Sequence, residues 1–335
     1  MRENVTIGGR LVGGNEPVLV IAEIGSNHDK NRDQAKRLID AAADAGADAV
    51  KFQLFSADVL YPQGGDLYQI IKNLELPRDW VPELVAHAAA RGVIFLASPF
   101  DVGAIDVLAA SNAPAYKIAS SETTNLPLVA KAAAQGQPVL ISTGMCDLAD
   151  IHEAIEVVKG AGNDQVALFQ CSALYPSTPD QANLRVMDTL RHAFHVPVGF
   201  SDHSLGLTVP IVAAALGACM IEKHFTLDRA GAGPDHFYAL EPSDFAVMVT
   251  GVREARASIG SWEKRMLVEE SREARRESLR AARDLAAGTT LTAEDLTAAR
   301  PANGIRPRLM GGLVGRRLTS AVAKGDIVTW EALTR

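Results

Sequence analysis

The sequence predicts an α/β fold, a (β/α)8 TIM barrel followed by a small C-terminal domain. Three observations carry this reading. Short apolar runs of strand length recur eight times, and helix-sized amphipathic segments follow nearly all of them. No G-x-G-x-x-G follows the first run, which argues against an open doubly wound sheet, the nearest structural alternative. Polar residues collect at the C-terminal ends of the runs, where such barrels keep their chemistry. With 335 residues, the chain has room for a barrel of about 250 residues and one small domain.

The elements are expected in this order. A hairpin comes first, from Val5 to Val12, turning at Gly8-Gly9. Barrel strands are expected at Val18 to Ile24, Ala49 to Leu54, Val93 to Ala97, Ala115 to Ala119, Val139 to Ser142, Val166 to Cys171, Val198 to Ser201 and Met220 to Phe225. Ala-rich stretches such as Ala41 to Ala49 read as helices, because Asp and Gly interrupt them at capping positions. A charged helical connector, Trp262 to Arg276, precedes a change of texture. The expected organisation is a barrel with its hairpin over 1–261, a helical linker over 262–277 and a small domain over 278–335.

Composition narrows the function classes. A formal net charge of -7 argues against nucleic acid or anionic membrane as a partner. No apolar run approaches the roughly 20 residues needed to span a bilayer, and the N-terminus lacks the apolar core of a signal peptide. Cys146, Cys171 and Cys219 are scattered, with neither zinc-knuckle nor disulfide spacing. Together these features predict a cytoplasmic enzyme.

Period-two alternation separates packing from chemistry. In Val50-Lys51-Phe52-Gln53-Leu54 the apolar residues face the helices, and Lys51 and Gln53 face inward. By the same rule Glu23, Lys117, Glu222 and His224 face inward, and the barrel interior reads as polar. Two lysines with these partners suit an anionic substrate. The bland alternative is a polar cluster that only fixes register, which the cost of unpaired buried charge disfavours.

Two strings are the most informative: Ser201-Asp202-His203-Ser204 and Glu222-Lys223-His224-Phe225. A lone strand-end histidine is more often a satisfied polar residue than a ligand. On adjacent parallel strands, however, His203 and His224 lie side by side at one rim. Two imidazoles with open positions for water and substrate suit a catalytic divalent metal. Asp202 and Lys223, each one residue earlier, are expected to face the helices as an ion pair. Ser98-Pro99-Phe100, Ser120-Ser121-Glu122 and Ser142-Thr143-Gly144 end three other strands. Their hydroxyls are either anion donors or helix N-caps, and for Ser121 and Thr143 both readings stay open.

Ile21-Ala22-Glu23-Ile24-Gly25-Ser26-Asn27-His28, Lys51-Phe52-Gln53, Tyr116-Lys117-Ile118-Ala119-Ser120, Ser142-Thr143-Gly144-Met145, Phe200-Ser201-Asp202-His203 and Glu222-Lys223-His224-Phe225-Thr226 together resemble the sialic acid synthase family. The resemblance covers essentially the whole chain. It implies condensation of phosphoenolpyruvate with an N-acylated hexosamine, such as N-acetylmannosamine, and water, to give a nine-carbon 2-keto sugar acid and phosphate. Lys51, Ser98, Lys117, Ser120, Ser142 and Ser201 would hold phosphoenolpyruvate. Gln53, Tyr175 and Asp235 would meet the sugar. His203 and His224 would hold the metal, with Mn2+ favoured and Mg2+ or Co2+ as alternatives. Glu23 would deprotonate the attacking water, with Glu222 as a second carboxylate.

The C-terminal texture, with Gly288-Thr289-Thr290-Leu291-Thr292 and Arg300-Pro301-Ala302-Asn303-Gly304-Ile305, resembles the antifreeze-like (SAF) domain of these synthases. At about 60 residues such a module is marginal alone. The resemblance implies a homodimer in which it covers the partner's barrel mouth and an arginine reaches the N-acyl group. That arginine is Arg300 by motif position, with Arg306 close by.

One departure stands out. Sialic acid enzymes of the family commonly carry asparagine two residues before the tyrosine of Cys171-Ser172-Ala173-Leu174-Tyr175-Pro176, where this chain has Ala173. Ser172 or a water would have to replace the amide's hydrogen bonds. Legionaminate and pseudaminate synthases, which use diacetamido-dideoxy sugars, also vary here. A phosphorylated sugar acceptor stays open too. Readings from other classes are a metal-dependent aldolase or a related synthase of shorter keto acids, and an ice- or carbohydrate-binding module on an inert barrel.

Overall fold

The structure is a computed structural model that describes residues 2–272 and 275–334. The chain divides into two compact units, residues 1–260 and 261–335.

In the first unit, β1 (Asn4–Ile7) and β2 (Arg10–Gly13) form the expected antiparallel hairpin. Eight parallel strands follow: β3 (Leu19–Gly25), β4 (Ala49–Leu54), β5 (Ile94–Pro99), β6 (Tyr116–Ile118), β7 (Val139–Ser142), β8 (Val166–Cys171), β9 (Val198–Asp202) and β10 (Met220–His224). Their order, β5-β4-β3-β10-β9-β8-β7-β6, wraps into a nearly closed barrel in which β5 and β6 pack side by side. The helices start where the sequence caps them. Asn31 and Asp101 accept N-terminal amides of Arg32–Asp44 and Val102–Ala110, and Asp147 forms a capping box on Leu148–Gly160.

Alternation sorts the side chains into two apolar layers. Val20, Ala22, Val50, Phe52 and Leu54 face outward against helix residues such as Leu38, Leu84 and Leu108. Leu19, Ile21, Ala49, Leu96, Leu140 and Phe169 face inward, with the hairpin's Val5, Ile7 and Val12 packed beneath them. This corrects the sequence expectation of a polar interior. The inward columns are apolar toward their N-terminal ends, and several become polar or charged toward their C-terminal ends, as in Leu19-Ile21-Glu23, Ala49-Lys51 and Leu140-Ser142. Filling the lower barrel with hydrocarbon leaves only one end open to chemistry.

In the second unit, β11 (Ser278–Ala281) pairs antiparallel with β12 (Leu296–Ala299) over a core of Leu279, Leu285, Leu291, Leu313 and Val328. The expected connector helix is shorter than the pattern suggests. Trp262 to Leu267 is not helical and Trp262 is fully exposed, while Val268–Arg272 is a helix. So short a helical segment gains little without a packed face. Glu273 and Ala274 lie outside the described residues. Among the described residues, no helix is long and apolar enough to cross a membrane.

Candidate active site

Register assembles the charged end of the barrel. Glu23 pairs with Lys51 across β3 and β4, His224 with Glu23 across β10 and β3, Glu222 with Ser201 across β10 and β9, and Gln53 with Ser98 across β4 and β5. In a parallel ladder, paired residues share a face. After Glu23 the register shifts at Gly25, whose φ of +55° favours glycine. A Cβ there would sit 3.0 Å from Asp235 Oδ2, so Gly25 also makes room for the loop beyond β10.

Four buried charges occupy the upper layer. Lys51 Nζ lies 2.9 Å from Glu23 Oε2 and 3.6 Å from Glu222 Oε1, and Lys117 Nζ lies 3.1 Å from Glu222 Oε2. Lys51 also donates to Ser98 Oγ (3.1 Å), and Ser201 Oγ donates to Glu222 Oε1 (3.2 Å). Lys117 Nζ rests 4.5 Å above the Phe169 ring, which floors the site.

The surroundings separate the two carboxylates. Burial alone would push Glu222 up, but Lys117 and Lys51 together hold it down at about 2. Burial dominates at Glu23 and raises it above the ordinary carboxylate range, against the pull of Lys51. Burial opposes the charge on Lys51, yet Glu222 and Glu23 outweigh it and hold Lys51 high; at Lys117 burial wins and the value falls.

These groups line one cavity of about 50 Å³ with Ser120, Ser142, Tyr175, His203 and His224. Ser120 Oγ accepts the Gly144 N–H at 3.0 Å. Thr143 is not a helix cap: its Oγ1 donates to the Phe169 carbonyl (2.9 Å), and Asp147 caps the next helix. Asn125 caps the helix after Ser121.

The two imidazoles stand together, ring centroids 5.5 Å apart. His203 Nδ1 is 2.7 Å from the Ser172 carbonyl and must donate to it. Tyr238 commits its hydroxyl hydrogen to Asp235 Oδ1 (2.8 Å), so its oxygen can only accept from His224 Nδ1, at 3.4 Å. Both Nε2 atoms therefore keep their lone pairs, the arrangement a metal-binding histidine needs. Burial lowers both rings to about 4, so both are neutral near pH 7. Among the described residues no group of three or more His, Cys, Asp or Glu is arranged to hold an ion. A cation here would take two protein nitrogens and draw its other ligands from water and substrate.

Behind the histidines the expected ion pair is present. Lys223 Nζ lies 2.5 Å from Asp202 Oδ2 and also donates to the Ser204 carbonyl, while Asp202 Oδ1 accepts the Ser204 N–H at 3.0 Å.

The outer end of the mouth is less charged. Gln53 Nε2 donates to Glu23 Oε1 (2.7 Å), and the half-exposed Tyr175 ring packs 4.0 Å from His203 and 5.8 Å from Tyr238. Asp235 accepts from Ser26 Oγ at 3.1 Å as well as from Tyr238. Sequence reasoning missed Tyr238, Ser26 and the Ser172 carbonyl. Tyr238 lies in a loop without periodicity, and a backbone carbonyl leaves no side-chain signal. Ala173 has its methyl close to Gly144. Arg300 belongs to the second unit, where it and Arg306 line one exposed groove.

Known proteins resemble this chain in sequence and fold. The pattern of the NeuB family matches residues 38–264, and that of the SAF domain matches residues 276–334. An N,N'-diacetyllegionaminic acid synthase of Legionella pneumophila is 38% identical over 339 residues, covering 95% of each chain. The N-acetylneuraminate-9-phosphate synthase of Mus musculus is 34% identical over 342 residues, covering 97% of this chain and 95% of its own. The crystal structure of N-acetylneuraminic acid (sialic acid) synthetase from Leptospira borgpetersenii superposes with a TM-score of 0.77 at 33% identity, covering 82% of this chain and 95% of the other.

Proposed function

The chain belongs to the NeuB family of transferases that condense phosphoenolpyruvate with a sugar, and on that premise we propose that its acceptor is an N-acylated hexosamine and its reaction needs a divalent cation. The products are a nine-carbon 2-keto sugar acid and phosphate. The observation that carries this reading is the joining, in one cavity, of a balanced Lys-Glu cluster with two neutral histidines whose Nε2 atoms are free.

Lys51 and Lys117, with Ser98, Ser120, Ser142 and Ser201, bind the phosphate and carboxylate of phosphoenolpyruvate. Gln53, Tyr175 and Asp235 orient the open-chain sugar so that its aldehyde carbon faces C3 of phosphoenolpyruvate. His203 and His224 would hold the cation, which when bound supplies Lewis-acid polarisation of the aldehyde oxygen. As the C–C bond forms, C2 becomes electron-poor. Glu23, fixed by Gln53 on one oxygen and Lys51 on the other, orients a water toward C2 and takes its proton. Burial raises its pKa and so makes it a stronger base, which suits that task. Glu222 stays ionised and keeps both lysines in place. The former aldehyde oxygen takes up a proton to become a hydroxyl. The tetrahedral adduct then breaks the bond between C2 and the phosphorus-bearing oxygen while its C2 hydroxyl gives up its proton, leaving the ketone and free phosphate.

A second reading of the acceptor, a diacetamido-dideoxy hexose, draws support from the legionaminic acid relative and from the methyl of Ala173, which offers no amide hydrogen bonds. A homodimer with exchanged SAF domains, with Arg300 meeting the N-acyl group, is part of the same proposal, as is a cytoplasmic location. Mn2+ is the favoured ion. The test is phosphate release from phosphoenolpyruvate by metal-stripped protein, with Mn2+ restored and a panel of N-acetylmannosamine, its 6-phosphate and diacetamido-dideoxy hexoses. Release that requires both the ion and one acceptor establishes the reading. Release without metal, or without any acceptor, sinks it.

A further inference from the structure

After β10 the chain leaves the barrel and comes back as a closed loop. Thr226 N–H donates to the Leu240 carbonyl, and Leu240 N–H donates to the His224 carbonyl. Between these bonds the loop carries Asp235 and Tyr238 to the acceptor end of the mouth. His236, the residue after Asp235, is only 3% exposed and takes no part in the chemistry above.

Its ring is held on every side. Nε2 lies 3.0 Å from Asp29 Oδ1, and a carboxylate can only accept, so Nε2–H donates. Nδ1 lies 2.7 Å from Thr226 Oγ1. Gly231 and Gly233 cover the ring so closely that a Cβ on either would come within 2.8 Å and 2.9 Å of its atoms. Asp29 in turn is fixed through its other oxygen by Gln34 Nε2, and it sits in the left-handed region at φ 49°.

Asp29 follows Ser26 by three residues, and Ser26 Oγ donates to Asp235 Oδ2. Beyond the Asn27–Phe225 bond at their base, the loops after β3 and β10 are therefore joined at Ser26–Asp235 beside the acceptor and at Asp29–His236 away from it. Consecutive Cα atoms lie about 3.8 Å apart, so a fixed His236 leaves the Asp235 backbone little travel.

We propose that Asp29 and His236 form a pin whose role is to position Asp235 for the acceptor sugar; this rests on the reading that Asp235 binds that sugar. Both are positioning residues. A displacement of about 1 Å at a substrate-orienting group is enough to cost about 100-fold in rate.

The test compares His236→Phe, which keeps a ring but loses both polar contacts, with Asp29→Ala, Asp29→Asn and the double variant Asp29→Ala/His236→Phe. Because Asp29 is partly exposed, its variants fold even if the histidine variant does not. Steady-state kinetics use whichever acceptor of the panel supports wild-type turnover, alongside hydrogen exchange of residues 227–239. His236→Phe and Asp29→Ala should each raise the acceptor KM about 10-fold or more and leave the phosphoenolpyruvate KM within about twofold. The double variant should be no worse than the worse single one, and Asp29→Asn, which keeps an acceptor oxygen, should stay near wild type. Loop exchange should quicken about 10-fold even without ligand.

Unchanged loop exchange overturns the pin outright, and so does quickened exchange with a normal acceptor KM. Asp235→Ala separates the two readings. If it raises the acceptor KM while the pin variants do not, the pin alone fails. If it too leaves the acceptor KM unchanged, the sugar-binding reading of Asp235 fails and takes the pin's role with it.

Discussion

Glu23 and Glu222 face the same cavity from neighbouring strands, yet their surroundings push the two carboxylates in opposite directions. Glu222 is shared by two ammonium groups and held at about 2, whereas burial outweighs the single close ammonium beside Glu23. Glu23→Gln preserves the shape and a hydrogen-bonding oxygen but removes the base. It is expected to lower kcat by about 10² to 10⁴-fold with phosphoenolpyruvate still bound, which stopped-flow turnover and a separate binding titration would check. Unchanged kcat would take the base role from Glu23. The histidine and serine sites should differ in kind. His224→Ala would remove one of the two imidazole nitrogens proposed to hold a cation, and turnover should fall by about 10³-fold or more. Ser142→Ala removes one hydroxyl among several donors, so it should raise the phosphoenolpyruvate KM by about 10-fold and leave kcat near wild type. Comparable activity in the His224 variant would remove the case for the metal.

At the scale of elements, β9 and β10 carry the histidines inward and the Asp202–Lys223 pair outward, so one ion pair braces both imidazoles from behind. Both partners are buried, and truncating one strands the other in a low-dielectric layer. Lys223→Met should lower unfolding stability by about 3 to 5 kcal/mol in urea titrations, and adding Asp202→Leu should recover much of it. A small loss on Lys223→Met would show that the pair is dispensable. This pair was legible in the sequence because strict alternation assigns every strand residue a face once one face is known. The same rule found Glu23, Lys51, Lys117 and Glu222. It failed on depth along the barrel axis. Alternation distinguishes inside from outside but not top from bottom, so the apolar floor of Leu19, Ile21, Ala49 and Phe169 was read as polar interior. Tyr238 and the loop beyond β10 were illegible for a different reason. A loop has no period, and its side chains are placed by contacts as distant in sequence as Ser26 and Asp29. The connector helix was over-read because a charged helical pattern shows propensity and not a packed face.

Over the whole molecule, the barrel concentrates charge at one end and hydrocarbon at the other, and falling pH should weaken this arrangement through buried histidines before it reaches Glu222. His28 illustrates the sign. It lies under the β3 loop, fully buried between Phe52 and Trp80, with Nδ1 accepting the Lys30 N–H at 3.0 Å. Nε2 has no hydrogen-bond partner among the described residues. Burial pushes this ring from the ordinary 6.5 down to about 4. The unfolded chain therefore binds a proton that the folded one refuses. Its contribution is fully present above pH 6.5 and is lost as pH falls from there to about 4, below which the loss levels off. A shift of that size corresponds to roughly 3 kcal/mol of unfolding free energy. His28→Gln keeps an oxygen for the Lys30 N–H and does not titrate, so its stability should fall less steeply across the same window even if its value at pH 8 is lower. Urea unfolding of both proteins at half-unit steps from pH 8 to 4 measures the two slopes. Parallel curves would mean that His28 takes up its proton in the folded state as readily as in the unfolded chain, and that the acid sensitivity of the barrel arises elsewhere.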